Sequence, residues 1–270
     1  MDHHSSVRES AGTAAPVRRT GGEGAAREGH YTERRLRTVA QAALLGGPLF
    51  LLGTVLHPER YGEGIAAAGY IYGITHDVQA FGLLLQAISL VSVYVLGAWR
   101  FGRGGVPAFF AALIGTLLWF GLIVIDGARN PVLARYAPET VHTPADLDPR
   151  VAIIVLPALL VFPVGYVLLA LLLARQGAKW TGLLLGIGAV VYTIGGLAIF
   201  ALGPHSPAIQ VLETTGALPY ALGFVLLGWM WGHGRHEPGP LDSSNTEGLC
   251  QSFPLQTSRQ DPDRMPHRAD

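Results

Sequence analysis

The sequence predicts an all-α membrane protein, a bundle of six transmembrane helices. Half of its 270 residues are hydrophobic and only 14% are charged, against roughly 25% charged in an ordinary soluble domain. The charge is concentrated near the two ends of the chain and in gaps between apolar runs of 20 residues or more. Runs of that length match the bilayer core, which about 20 helical residues cross.

Six spans are predicted in the apolar runs, each bounded by charge, proline or glycine, at about 38–57, 77–99, 106–126, 151–174, 180–203 and 207–232. The first span is expected to serve as its own insertion signal, because no cleavable signal peptide is visible before it. The segment GIAAAGYIYGI after it is expected to lie along the lipid headgroups as a short helix. Residues 1–36 and 234–270 are predicted to be disordered cytoplasmic tails around a transmembrane domain at 37–233.

The spans other than the second and the sixth are predicted to serve as a scaffold. The third ends at Asp126, and the fourth contains Pro157 and Pro163, each of which removes a backbone donor and is expected to bend the helix. The fifth carries Gly182 and Gly186 at GxxxG spacing, which allows a neighbouring helix to approach closely.

The distribution of basic residues predicts the orientation of the bundle. Eleven lie on one side of the predicted membrane and four on the other. The larger group is Arg18, Arg19, Arg27, Arg34, Arg35, Arg37, Arg100, Arg103, Arg175, Lys179 and Arg235, and the smaller group is Arg60, Arg129, Arg135 and Arg150. Both tails are therefore predicted to be cytoplasmic, in the inner (plasma) membrane, and the gaps 58–76, 127–150 and 204–206 to face outward.

Composition also bears on the protein's chemistry and origin. The formal net charge of zero argues against nucleic-acid binding through a basic patch. The single cysteine, Cys250, excludes an intramolecular disulfide and a thiolate cluster. The strong preference for Arg over Lys, with abundant Ala and Gly, indicates a GC-rich bacterial genome.

Polar side chains gather at the predicted outer end, and in the second span they share one face. His76, Gln79 and Gln86 lie at i, i+3 and i+10, within roughly 80° of one another at about 100° per helical residue. Gln86 falls near mid-membrane, where an amide needs a partner. This face is therefore expected to point into the bundle or into a wet cavity.

The sixth span repeats this phase with Gln210, Glu213 and Tyr220. Segments 76–87 and 210–221 align without a gap and share three identities, Gly82 with Gly216, Leu84 with Leu218 and Ala87 with Ala221. Both spans run from outside to inside, so a parallel repeat of helical hairpins is one interpretation.

Two kinds of metal-containing site are alternatives to a purely structural role for the histidines. His57, His76 and Asp126, with Glu213 or His205 as a further ligand, offer the imidazole and carboxylate groups that suit zinc or a similar divalent ion. The alternative is that His57 and His76 are interfacial residues bonding loop carbonyls or headgroups. Haem ligated by the same two histidines is disfavoured, since membrane cytochromes usually pair their histidines deep in the spans.

The preferred hypothesis is a polar pocket that opens outward between the second, third and sixth spans and binds a small lipophilic or amphiphilic molecule, with acid catalysis or metal-assisted chemistry as a further step. Glu213, Asp126 and His76 are the candidate catalytic residues. The candidate ligand-binding residues are Gln79, Gln86, Gln210, Tyr220 and Arg129. For Asp126, an ion pair with Arg129 at the helix end is favoured over a catalytic role. Glu213 needs a partner from another helix, with His76 or Arg129 at suitable depth.

A small carrier and a non-catalytic scaffold or partner-binding subunit remain the rival functions. A proton-coupled carrier usually needs a charge near the midplane, which is missing from the predicted spans. LLGTVLHP followed by HDVQAFGLLLQAISLVSVYVLG resembles small multi-span membrane proteins of unknown function from high-GC bacteria, over residues 40–100. That resemblance implies topology and no activity, and the oligomeric state is left open.

Overall fold

A computed structural model describes residues 21–97, 101–141 and 149–233 of the chain. This part folds into eight α-helices and a short 3-10 turn at Pro138–Thr140. The helices are α1 Gly21–Ala40, α2 Ala43–Val55, α3 Gly62–Ala68, α4 Tyr70–Gly97, α5 Gly102–Tyr136, α6 Pro149–Arg175, α7 Lys179–Leu202 and α8 Pro207–Gly232. They all belong to one compact unit, Met1–Gly234.

Six helical segments are long and apolar enough to cross a membrane. The first runs through the end of α1 and all of α2, and the others are formed by α4, α5, α6, α7 and α8. Large apolar side chains along these helices are exposed, as at Phe81, Phe110 and Leu160. The prediction of an all-α, six-span membrane protein is confirmed.

The six spanning helices form a closed ring. Each packs against the next in the order α2, α4, α5, α6, α7 and α8, and α8 returns to α2. The interior of the ring is filled by aromatic rings, with Phe50 against Tyr192 at 4.9 Å and Tyr166 against Tyr220 at 5.0 Å between centroids. Tyr166 and Tyr220 are fully buried.

Several helix ends differ from their predicted positions. The helix α1 begins at Gly21, so residues 21–36, predicted as part of a disordered tail, are helical. Side-chain pairs one turn apart stabilise this segment, as where Arg37 bonds Glu33. The predicted tails at 1–20 and 234–270 lie outside the described residues.

Helices α4 and α5 both extend further than predicted at the end of the bundle where α2 terminates. The helix α4 begins at Tyr70 rather than 77, and α5 continues past 126 to Tyr136. The connection between α2 and α4 contains the short helix α3, which covers only the first part of the predicted segment 64–74. Gly69 ends it with a φ of 58°, and residues 70–74 belong to α4. That left-handed conformation favours glycine. Whether this helix contacts headgroups stays a prediction.

The hairpin α2–α4 and the hairpin α7–α8 make equivalent contacts. A Cβ placed on Gly53 of α2 would lie 2.5 Å from Cγ of Gln79, and one on Gly195 of α7 would lie 2.7 Å from Cγ of Glu213. Gln79 and Glu213 are also matched in the gap-free alignment of the two segments. The contacts therefore support the interpretation of a parallel hairpin repeat.

Candidate functional site

A cavity of about 140 Å³ lies inside the ring, at the end where α2 terminates and α4 and α8 begin. We call it the end cavity. Its polar lining consists of His57, Arg60, His76, Gln79, Asp126, Arg129, Asn130 and Glu213. Its apolar lining includes Trp119, Leu122, Ile123, Val155, Leu159, Ile199 and Phe200. All six spanning segments except the first contribute a helical residue, and the first contributes His57 and Arg60 from the chain that follows it.

His57, His76 and Asp126 converge on one side of the end cavity. Nε2 of His57 lies 3.3 Å from Nε2 of His76, which in turn lies 2.9 Å from Oδ2 of Asp126. The ligand atoms of all three residues fall within 4.8 Å of one another. The three residues predicted to form a metal site are therefore brought together.

Backbone carbonyls set the tautomers of the two rings. Nδ1 of His57 lies 2.6 Å from the carbonyl oxygen of Pro58, and Nδ1 of His76 lies 2.7 Å from that of Tyr72. Because a carbonyl oxygen only accepts, Nδ1 carries the hydrogen in both rings. The histidines therefore do bond backbone carbonyls, as in the structural alternative, but only through Nδ1. Nε2 of each ring faces the cluster.

The charge state of His57 follows from its surroundings outside the spanning segments. Burial, followed by the nearby Arg60 guanidinium and then His76, holds the pKa of His57 well below its ordinary value. The carbonyl of Pro58 and the carboxylate of Asp126 act in the opposite direction but are weaker. His57 is therefore a neutral ring near neutral pH, with a lone pair on Nε2.

Asp126 is held by two further side chains. The hydroxyl of Tyr72 donates to Oδ2 at 3.2 Å, and the amide of Asn130, one turn further along α5, donates to Oδ1. Gly127 lets α5 approach α4 at this point, since a Cβ there would lie 2.5 Å from Cβ of His76. Asn130 and Tyr72 were not predicted as site residues. Asn130 lies four residues after Asp126. That spacing would have indicated a contact with Asp126 if the predicted helix had continued past residue 126.

Arg60 and Glu213 form an ion pair on another side of the end cavity, with side chains 9% and 11% exposed. The second terminal nitrogen of Arg60 donates to Oε1 of Gln210 at 2.7 Å, and Gln210 donates to the carbonyl of Thr54 at 2.9 Å. Glu213 was expected to pair with a residue from another helix, but its partner in this ion pair lies in the connection after α2. The partner is Arg60 rather than the suggested His76 or Arg129, because the connection after α2 folds back over the mouth of the bundle.

Gln79 contributes an amide whose oxygen has no hydrogen-bond partner. Its Nε2 donates to Oγ1 of Thr54 at 2.8 Å, and Oε1 is buried and unpaired. The residue is 1% exposed and lines the end cavity. A buried amide oxygen without a partner is costly unless a bound molecule or water completes it.

Three of the predicted ligand-binding residues do not line the end cavity. Gln86 donates to the carbonyl of Gly46 at 3.0 Å and accepts from the hydroxyl of Tyr220 at 2.9 Å. This satisfies the amide inside the bundle, as expected for Gln86, but in a structural contact. Gln210 positions Arg60 instead of facing the cavity.

His205 also lies elsewhere. It is exposed and stacks on Tyr61 at 4.3 Å between ring centroids, so it does not complete the metal cluster as proposed. Haem does not fit between His57 and His76, because the rings pack edge to face at 4.7 Å and leave no room for a macrocycle between them.

Comparisons with family models, curated proteins and solved structures found no match to this chain.

Proposed function

We propose that the end cavity binds a small amphiphilic or lipophilic molecule. The observation that carries the proposal is a lining that combines large apolar side chains with polar groups. Trp119, Leu122 and Val155 are among the apolar residues, and Gln79 contributes an amide oxygen without a hydrogen-bond partner among the described residues. Binding pockets typically combine a mostly apolar wall with a few placed polar groups.

The size of the cavity limits what enters it. A volume of about 140 Å³ resembles that of an engineered cavity of about 150 Å³ that binds benzene. The end cavity therefore takes a short molecule or only the head and first carbons of a longer one. Ile125 lines the cavity and is 36% exposed at the bundle surface, which offers a longer tail a route towards the acyl chains.

The arrangement favours binding over transport. Aromatic side chains, among them Phe50, Tyr166 and Tyr220, are packed together in the interior of the helix bundle. They do not line the end cavity, and they fill the space through which a transported molecule would have to pass. A carrier would need these rings to separate. A scaffold would have no use for a buried, unpaired amide oxygen.

The ion pair of Glu213 with Arg60 bears on whether Glu213 can act as an acid catalyst. Arg60 donates to Oε2 of Glu213, so that oxygen acts as an acceptor rather than as a proton donor. Acid catalysis by Glu213 would require the Arg60 contact to break first. His76 and Asp126 are better placed to assist a metal ion than to donate protons alone.

We further propose that the cavity faces away from the cytoplasm of a bacterial plasma membrane. The excess of Arg and Lys at the other end of the spans supports this orientation. The amphiphile would then enter from the outer leaflet or the external solution.

Fluorescence quenching tests the proposal. The protein keeps Trp119 and carries Phe at the other four tryptophans, is reconstituted in lipid nanodiscs, and is titrated with 2-bromooctanoate or 2-bromooctanol. Bromine quenches tryptophan on contact, so a probe in the end cavity gives saturable quenching. Glu213→Gln and His76→Ala should each weaken that binding without reducing insertion into the membrane.

Two controls separate the cavity from the bilayer. A variant that keeps only Trp229, which is 38% exposed and does not line the end cavity, reports partitioning into lipid and should quench without saturation. Gly196→Val adds a side chain to the cavity wall beside the Trp119 ring and should abolish the saturable phase. Equal, unsaturable quenching of both tryptophans, unaffected by Gly196→Val, would refute the proposal.

A further inference from the structure

We infer that His57, His76 and Asp126 bind one divalent transition-metal ion of the zinc class on the wall of the end cavity. The ligand atoms are Nε2 of each imidazole and Oδ2 of the carboxylate. Two nitrogens and one carboxylate oxygen form a donor set that zinc and similar ions commonly accept.

The hydrogen-bond pattern of the cluster suits a bound cation. Both Nδ1 atoms lie within hydrogen-bond distance of backbone carbonyls, so the hydrogen of each ring is held there and Nε2 is the nitrogen that faces the cluster. The two Nε2 atoms face each other at 3.3 Å, with Oδ2 of Asp126 at 2.9 Å from His76. Two ring nitrogens and a carboxylate oxygen thus converge on one point, and a cation bound there would be shared by all three.

The spacing suits a metal better than chance contact would. In a tetrahedral site with bonds of about 2.0–2.1 Å, two ligand atoms are separated by about 3.3 Å. The Nε2 atoms of His57 and His76 have this separation. Oδ2 of Asp126 lies closer to Nε2 of His76, at 2.9 Å, and the three ligand atoms together span up to 4.8 Å, so His57 and Asp126 would have to draw together around the ion.

An outer layer of hydrogen bonds holds all three ligands. The carbonyls of Pro58 and Tyr72 orient the rings, and Tyr72 and Asn130 donate to the carboxylate. Tyr72 therefore contacts two ligands, one through its carbonyl and one through its hydroxyl. Such outer partners fix the direction of the ligand lone pairs and are typical of metal sites.

The three ligands leave a coordination position for a water or a ligand atom from the cavity that they line. The carboxylates of Asp126 and Glu213 are balanced in number by the guanidinium groups of Arg60 and Arg129 in the cavity lining. A divalent ion would make the site positive and favour an anionic head, such as a carboxylate. This preference for an anionic head rests on the proposed function, whereas the metal site does not.

The competing arrangement is a proton on Nε2 of His76, shared with Asp126. It would satisfy the same acceptors and needs no metal. The two arrangements differ in one measurable property, which is whether the cluster takes up a stoichiometric ion.

The test uses the full-length protein purified in detergent, stripped with a chelator, dialysed and titrated with Zn²⁺ or Co²⁺. The expected result is one ion per chain by elemental mass spectrometry. With Co²⁺, visible bands of four-coordinate cobalt with nitrogen and oxygen ligands should appear and be displaced by Zn²⁺. A wild-type chain that takes up no stoichiometric ion in either titration would overturn the inference.

Matched variants locate the ion. His57→Ala and Asp126→Asn should each weaken Co²⁺ binding at least tenfold and alter the spectrum. The controls are His205→Ala and Asp77→Asn, which change exposed residues outside the cluster and should leave both unchanged. Loss of binding in the controls, or full binding in both cluster variants, would place the ion elsewhere and overturn the assignment. Melting curves of the metal-free variants establish that they remain folded, and the wild-type titration decides the question if one does not.

Quenching of Trp119 by 2-bromooctanoate separates this inference from the proposed function. Saturable quenching in a protein that binds no metal would remove the metal site and retain the binding cavity. Stoichiometric metal with no saturable quenching would do the reverse. If both hold, Zn²⁺ should tighten 2-bromooctanoate more than 2-bromooctanol, and equal affinities would overturn the preference for an anionic head.

Discussion

At the scale of single residues, Arg60 connects the chain after α2 to the interior of the bundle. Its guanidinium contacts Glu213 and Gln210, both on α8. The side chains of Arg60 and Glu213 are about nine-tenths buried. Burying two charges is costly, and their attraction offsets that cost only while both are present.

Replacing one member of this pair should therefore be much more harmful than replacing both. Arg60→Met should lower the free energy of unfolding by about 3–5 kcal/mol, because it leaves Glu213 buried without this partner charge. The double variant Arg60→Met/Glu213→Leu should recover most of that loss. Unfolding in mixed detergent micelles measures the three variants.

An exposed ion pair provides the control for this cycle. Arg37 and Glu33 lie one turn apart on α1 with side chains 25% and 48% exposed. Arg37→Met should cost less than about 0.5 kcal/mol, as is usual for such pairs. Equal costs for Arg60→Met and Arg37→Met would show that the buried pair contributes nothing special to stability.

The identity and helical spacing of the polar residues predict which of them turn inward, but not which residues they contact. Gln86 and Glu213 are both buried, as the spacing along their helices indicated. The pairing of Gln86 with Tyr220 and of Glu213 with Arg60 depends on how the helices are arranged. A single helix pattern carries no information about that arrangement.

At the scale of helices, glycines decide how closely the elements carrying the site approach one another. Gly53 brings α2 against Gln79, and Gly127 brings α5 against His76. In each case a Cβ would lie 2.5 Å from a side-chain carbon of the neighbouring helix. The cluster of His57, His76 and Asp126 depends on the second approach, since Asp126 precedes Gly127 directly.

Gly127→Ala should therefore damage both stability and the site. The added methyl group must displace His76 or move α5, which overpacks the interface at a cost of about 1–3 kcal/mol. Moving α5 also separates Asp126 from His76, so Co²⁺ affinity should fall in the same variant. Micelle unfolding and the cobalt titration measure the two effects.

Gly121 on the same helix is the matched control. A Cβ there meets no atom within 4 Å, so Gly121→Ala should change stability by less than about 1 kcal/mol, in the direction of greater helix propensity. Its Co²⁺ affinity should equal that of the wild type. If Gly127→Ala behaves like Gly121→Ala, the close approach of α4 and α5 is not what holds the cluster together.

Helix ends were harder to predict than helix existence, and this affected the site. All six spans were found from apolar continuity, yet α5 continues to Tyr136 although the apolar run stops near Asp126. Hydropathy detects where a membrane would end, not where the backbone hydrogen bonds end. Asn130 lies beyond the predicted end of the third span, so the apolar pattern does not predict its hydrogen bond to Asp126.

At the scale of the whole molecule, the two hairpins α2–α4 and α7–α8 are alike in packing but not in their connections. The chain between α7 and α8 is short, at 203–206, whereas 56–69 between α2 and α4 contains the extra helix α3. His57 and Arg60 both lie in this longer connection. The longer connection thus supplies His57 of the three-residue cluster and Arg60, which pairs with Glu213, and the apolar pattern alone predicts neither contact.

The closed ring places the end cavity near one membrane surface, so the orientation of the chain decides which compartment it faces. Six candidate spans predict both termini on one side of the membrane, and the Arg-rich ends predict that side to be cytoplasmic. Maleimide labelling of intact cells tests this, because the single native cysteine, Cys250, is predicted to be protected from a membrane-impermeant reagent.

In a Cys250→Ser background, Glu63→Cys on α3, an exposed position at the cavity end, should label from outside. Gly104→Cys, exposed at the opposite end, should label only after permeabilisation. The reverse pattern would turn the end cavity towards the cytoplasm, and the amphiphile would then have to come from the inner leaflet.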